Sequence, residues 1–323
     1  MFLDKIKQKL DLNVVKNIVL EDLAIDFTSS DSWTTTVSSD NMIARLTHIP
    51  GFTWPIQKVQ IRDNGKDVGR LESPYQPASV TGGIVSSTIS RSIMAVFDDS
   101  RQAFSEFVTA LATKDRHTFA IKGSADIIFS LGLLGTHHIN GVDFLSDLTL
   151  KGLNNLPDIK CKAITDIIPG NENELVLKAK LDILNPSQLS LTLGDLTLSI
   201  LPLTGTPILA DEIQVKDESI VCGGDGERQT PQQPQLQSIG TITLENLTLM
   251  LGMNERKVAT IKLDTSLEET RQFLKDAERE PQNVQLRGFC GTSKNEALSS
   301  GLASMATSFV MPIINVPAPP IPA

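Results

Sequence analysis

Cysteine is scarce: Cys161, Cys222 and Cys290 are the only three in 323 residues. No Cys-x-x-Cys occurs and no histidine is spaced beside them, which leaves zinc and a multi-bridge framework unsupported. Free thiols are the expected state, with one bridge open to the chain if it meets an oxidising lumen. Aromatic residues are also few, at 5%, so the core must be built mainly from Leu, Ile and Val. Positive charge is in the minority, 29 Lys and Arg against 38 Asp and Glu for a net charge of −9. A nucleic-acid binder relies on neutralising phosphates, so that class is excluded first.

Long apolar runs are missing as well. A membrane helix needs about 20 mainly apolar residues. Residues 127–142 are too short and carry His137, His138 and Asn140, and residues 297–323 are interrupted by Pro312, Pro317, Pro319, Pro320 and Pro322. The latter segment reads as a docked C-terminal helix followed by a stiff proline tail. Lysines 5, 7 and 9 stand where a signal peptide would place its apolar stretch, so no signal peptide is expected. Phe2, Leu3, Ile6 and Leu10 share a helical face. That face suits a short packing helix, with a membrane-surface anchor as the other reading.

Motifs for chemistry fail in turn. Gly223 to Gly226 does not continue as a dinucleotide fingerprint, and Gly65-Lys66 lacks the upstream glycine of a P-loop; both read as turns. His48, His117, His137 and His138 show no ligand spacing, so no metal and no cofactor is expected. His137 and His138 would point to opposite faces of a strand, a surface or edge arrangement. The acidic pairs Asp98-Asp99, Asp211-Glu212 and Glu268-Glu269 are scattered. A hydrolase would need carboxylates converging in a polar cleft, and the expectation is a protein without catalysis.

What the chain does have is strand periodicity. Leu175, Leu177, Ala179, Leu181 and Ile183 alternate with polar residues until Asn185-Pro186-Ser187, where Asn185 and Pro186 shape a turn. Leu189, Leu191 and Leu193 then alternate up to Gly194-Asp195, after which Leu196, Leu198 and Ile200 carry the pattern in opposite parity. Side chains repeat every two residues along a strand, so the flip requires a bulge or a crossing between sheets, and Gly194 permits it. Further β-rich runs cover 18–27, 42–48, 55–62, 118–128, 139–150, 239–251 and 258–263, the 239–251 run closing on Gly252 and Asn254. Asn246-Leu247-Thr248 is the one glycosylation sequon with an allowed middle residue. With Leu247, Leu249 and Leu251 inward, Asn246 faces out, as a glycan acceptor or as a plain polar strand position.

Two internal helices stand out, 98–113 with Phe104, Phe107, Val108 and Leu111 on one face, and 267–278 with Phe273 and Leu274. Ser266 and Glu269 are spaced for a capping box on the second. Each helix runs through a polar turn into a strand ending in a basic residue and glycine, Lys122-Gly123 and Arg287-Gly288, which exposes an internal repeat. The expected fold is therefore mainly β, two tandem immunoglobulin-like antiparallel β-sandwiches with one helix each, plus a C-terminal helix. The units are residues 1–156 with an N-terminal helix and 157–311 with a Gly, Gln and Pro-rich insertion at 222–237, followed by a tail at 312–323.

The second unit's series of Asn185-Pro-Ser187, Gly194-Asp-Leu-Thr-Leu198, then Gly252-Met-Asn254 resembles that of a fungal family of uncharacterised vacuolar-membrane proteins related to the late embryogenesis abundant type-two proteins. Asp31-Ser-Trp33, Pro50-Gly-Phe-Thr-Trp-Pro55, the Phe104-x-x-Phe-Val helix and Gly141-Val-Asp-Phe144 are similar to the family's preceding domain. The resemblance implies LEA-like sandwiches on the luminal side of the vacuolar membrane or a wider endomembrane compartment, normally tethered by an N-terminal span that this sequence does not show. It also implies a membrane-associated, lipid-binding or lipid-transferring module. Inner faces of Leu, Ile and Val could pack shut or part into an acyl groove near Leu189 to Leu193. The alternative is a scaffold that holds a protein partner by sheet edges or by the tail.

Overall fold

The alternating runs do form strands, and their pairing decides the architecture. This computed structural model describes residues 15–46, 52–53, 56–72, 79–81, 84–130, 135–171, 173–203 and 237–315. The N-terminal helix, most of the insertion and residues 316–323 of the tail lie outside the described residues. The first half runs β1 (Val15–Glu21), β2 (Leu23–Asp26), β3 (Thr34–Leu46), β4 (Phe52–Thr53), β5 (Ile56–Asp63), β6 (Lys66–Glu72), β7 (Ser79–Thr81), β8 (Ile84–Ala95), α1 (Arg101–Thr113), β9 (Arg116–Ser130) and β10 (Thr136–Lys151). The second runs β11 (Ile159–Pro169), β12 (Glu174–Asn185), β13 (Leu189–Pro202), β14 (Gly240–Leu249), β15 (Gly252–Asp264), α2 (Glu268–Ala277), β16 (Gln282–Arg287), α3 (Glu296–Leu302) and β17 (Ala306–Met311).

These strands do not build two tandem sandwiches. All 17 belong to one hydrogen-bonded sheet, and in the second half that sheet closes on itself. Seven strands follow one another round the ring in the order β11, β12, β15, β14, β13, β16, β17 and back to β11. The result is a closed barrel with the other strands outside it. Alternation in a sequence reports which residues share a face, but not whether two sheet edges meet, so sandwich and barrel read alike. The closing strand is β17, parallel to β11 through Ile159↔Phe309 and Lys160↔Val310. The expected C-terminal helix is thus mostly wrong: α3 spans seven residues, and the next segment is a strand burying Thr307, Phe309 and Met311.

The internal repeat survives as a repeated order of pairing. In the first half β1, β3, β8, β6, β5, β9 and β10 neighbour one another in the sequence that β11, β12, β15, β14, β13, β16 and β17 follow in the second. The halves are fused rather than strung together. Strand β2 pairs in parallel with β13 through Leu23↔Leu189 to Asp26↔Thr192. Helix α1 lies on α3 so closely that a Cβ on Gly301 would overlap the Val108 side chain. Thr109 Oγ1 donates to the Gly301 carbonyl at 3.0 Å, and Trp33 Nε1 to Glu296 Oε2 at 3.0 Å.

The ring's interior is filled. Leu177, Leu181, Ile183, Leu198, Ile200, Ile242, Leu249, Ile261, Leu263, Val284 and Met311 are each 0% exposed, the aliphatic core that the low aromatic content requires, with each such burial contributing about 1.5–3 kcal/mol. Two smaller expectations fail. Ser266 does not cap α2, whose N-cap is Leu267 without a side-chain bond; instead its amide and hydroxyl donate to Asp264 Oδ1 at 2.9 and 2.6 Å. The cysteines are not all thiols, because Cys290 is disulfide-bonded while Cys161 is free. Burial raises the Cys161 thiol to about 11, so it stays protonated and unreactive at neutral pH.

Candidate functional site

The turn residues singled out in sequence converge at one end of the barrel. Strand β12 ends there at Asn185, which lies beside Gly252 at the start of β15. Asn185 is 1% exposed, and all its side-chain hydrogen-bonding capacity is used. Its Nδ2 donates to the carbonyls of Leu189 at 2.7 Å and Met250 at 3.2 Å, and its Oδ1 accepts from the amide and hydroxyl of Ser187 at 3.0 and 2.7 Å. Pro186 between them donates nothing and fixes the corner. The Leu189 amide donates in turn to Ser187 Oγ at 3.1 Å.

Asn254, 5% exposed, grips the same loop from the other side. Its Oδ1 accepts from the Met250 amide at 2.7 Å, and its Nδ2 donates to the Met250 carbonyl at 2.8 Å. One side-chain amide therefore replaces the peptide that a continued β14–β15 ladder would have supplied, since that ladder stops at Leu244↔Ala259. Gly252, at φ +78°, supplies the left-handed residue that turns the chain.

What the clamp presents is apolar. Met250 is 58% exposed, and Leu251 and Met253 are each 46% exposed. Leu251 was expected inward with Leu247 and Leu249; those two are buried, but Leu251 lies past the end of the strand, where the period-two argument no longer applies. A turn normally favours Gly, Asn, Asp, Pro or Ser, so Met-Leu at the corner inverts the usual distribution. The Lys151 amide meets the Asn185 corner through a 3.3 Å bond to Gln188 Oε1, and the Arg256 amide donates to Asp182 Oδ1 at 2.9 Å.

Gly194, Asp195 and Asn246 form a second group along β13 and β14. Gly194 has φ +70° and sits between two register shifts against β14, the bulge that the parity flip requires. Leucines 189, 191, 193, 196 and 198 are all buried on either side of it. Asp195 Oδ1 accepts from the Asn246 amide at 3.0 Å, and Lys294 Nζ stands 3.4 Å from its Oδ2. The backbone hydrogen bond, followed by Lys294, holds the Asp195 carboxyl below its ordinary value of 3.8. Asn246 faces solvent at φ +49°.

The opposite end of the barrel mixes polar and apolar residues, with Leu263 in its surface depression and Ile168 47% exposed at the end of β11. Asn171, Asn173, Glu174, Thr241, Lys262, Asp264 and Ser266 line an open depression of about 660 Å³. Its charges are engaged in structure: Lys262 Nζ pairs with Glu174 at 3.2 Å and Asp264 holds Ser266. Among the described residues no group of three potential metal ligands comes together. Sequence reasoning also missed a buried pair in the first half, His117 Nε2 at 3.0 Å from Asp63 Oδ2. Phe107 and Phe119 pack on the imidazole with ring centroids 5.7 and 6.4 Å away. The pair spans 54 positions, and no local signal could have joined its members. The side chains of His137 and His138 lie outside the described residues.

Among the described residues, no helix is long and apolar enough to cross a membrane. Comparison with curated proteins gives no match. Among solved structures, the partial N-terminal region of an enterococcal surface protein is similar over 93% of this chain and 96% of its own, at 9% identity and a TM-score of 0.15. A likeness at that score carries no argument. A family model described as a protein of unknown function, DUF3712, matches residues 80–200, a stretch running from the pairing strands of the first half through the joint and into β13, as far as the bulge and the flipped leucines.

Proposed function

We propose that the protein is a non-enzymatic binding module that docks on a membrane surface of the endomembrane system, with lipid as its ligand. The observation that carries this reading is the hairpin tip, where Met250, Leu251 and Met253 are held outward by two buried asparagines. Exposed apolar residues also occur singly elsewhere on the chain, among them Val258 and Val310; what supports a contact role here is that three cluster at one corner. Bringing three half-exposed side chains into the acyl boundary contributes on the order of 1 kcal/mol each. Such a sum gives reversible adsorption.

The packed interior supports the tip rather than an acyl groove as the lipid contact: Leu189, Leu191 and Leu193 are all buried in the core. The disulfide at Cys290 supports an oxidising lumen, and the resemblance to a fungal vacuolar-membrane family makes the vacuole the compartment of choice. The test is co-sedimentation of the full chain with phosphatidylcholine vesicles. Wild-type protein is expected to pellet with the vesicles, and the Met250→Asp, Leu251→Asp double variant to stay in solution. Equal pelleting of both would overturn the reading.

A further inference from the structure

The chain has two Asn-x-Ser/Thr triplets, and the structure treats them in opposite ways. Asn185-Pro186-Ser187 is barred by its proline, and the Asn185 amide is sealed in the clamp. Asn246-Leu247-Thr248 has an allowed centre. Leu247, 2% exposed, is anchored in the core and fixes the orientation of its neighbour, while Asn246 itself is exposed. The bulge opposite Gly194 lifts Asn246 out of the ladder, where Leu247↔Gly194 is followed only by Leu244↔Leu196. The local bond at this position, to Asp195, is made by the Asn246 backbone, so the side-chain amide is not needed to hold the strand.

A second, independent observation concerns compartment. Cys290 is disulfide-bonded, and disulfides persist in the oxidising lumen where N-glycosylation takes place. We infer that Asn246 is an N-glycan acceptor, an inference that rests on the luminal reading of the proposed function. The donor is a polyprenyl-pyrophosphate-linked oligosaccharide. A bond forms between Asn246 Nδ2 and the anomeric carbon; the bond from that carbon to the pyrophosphate oxygen breaks, the polyprenyl pyrophosphate leaves with the electron pair, and the amide proton passes to a base.

The test uses the full protein isolated from the cells that make it, with two readouts on the same sample. Endoglycosidase treatment is expected to remove a single mobility step, absent from Asn246→Gln and from Thr248→Ala and retained in Thr248→Ser. Non-reducing labelling of the denatured chain with polyethylene-glycol maleimide is expected to modify Cys161 but not Cys290. A protected Cys290 with no endoglycosidase-sensitive step overturns the glycan and leaves the luminal reading standing. A reactive Cys290 with no step overturns both, and a step that persists in both Asn246→Gln and Thr248→Ala overturns the site.

Discussion

The two ends of the barrel solve the same problem, closing strand ends with turns, in opposite ways. At the 240–266 end the polar side chains stay near water: Asp264 binds Ser266, and Lys262 pairs with Glu174. At the 185–254 end the polar side chains go inside. Asn185 and Asn254 are buried, and Met250, Leu251 and Met253 are left outside. Burying two amides requires that their hydrogen bonds be made, and here they are. The proposed docking function accounts for this difference: a tip that meets a surface needs its apolar side chains outside and its loop held by buried amides.

The largest effect is expected from breaking the clamp. Asn254→Ala strands the Met250 amide and removes its bond to the Met250 carbonyl, at a cost of roughly 2–4 kcal/mol, to be read as a lower denaturant midpoint with unchanged slope. Asn185→Ala is expected to cost about 1–3 kcal/mol by releasing Ser187 and Leu189. The matching change at the other end, Ser266→Ala, frees an exposed bond and should stay within about 0.5 kcal/mol. Equal losses at the two ends would remove the contrast.

Acid should loosen both ends. The Arg256 amide, ahead of Lys162, holds the Asp182 carboxyl below its ordinary 3.8, and the Ser266 hydroxyl and amide do the same for Asp264. A depressed folded value means the stabilisation is present above pH 3.8 and is lost as pH falls through the folded values. Thermal midpoints are therefore expected to hold steady down to about pH 4 and to drop below it. Asp182→Asn should flatten that drop.

The smallest effect on stability belongs to the surface itself. Met250→Asp with Leu251→Asp should leave the unfolding midpoint within about 0.5 kcal/mol of wild type, because these side chains are exposed. The same pair should abolish vesicle binding, which separates what holds the tip from what the tip does.

Much of this was legible in the sequence. Alternation placed many of the strands but not β6, β8, β11 or β17, and the flip across Gly194 announced the bulge. Asn185, Pro186, Gly252 and Asn254 marked corners that prove to be adjacent. Ring closure was not legible, because it rests on a β11–β17 contact between residues some 150 positions apart, 159 with 309 and 160 with 310, and serines around α3 disguised the closing strand. The apolar tip was hidden because Leu251 continued the phase of Leu247 and Leu249 one step beyond the strand. The pairing of Asp63 with His117 left no periodic trace at all.

The most direct test of the central claim is an environment-sensitive label at each end. Leu251→Cys and Ser266→Cys, each made in a Cys161→Ser background and carrying a nitrobenzoxadiazole group, can be labelled selectively because Cys290 is bridged. On phosphatidylcholine vesicles the label at 251 is expected to shift to the blue and brighten while the label at 266 stays unchanged. No change at 251, or the same change at both positions, would contradict the account.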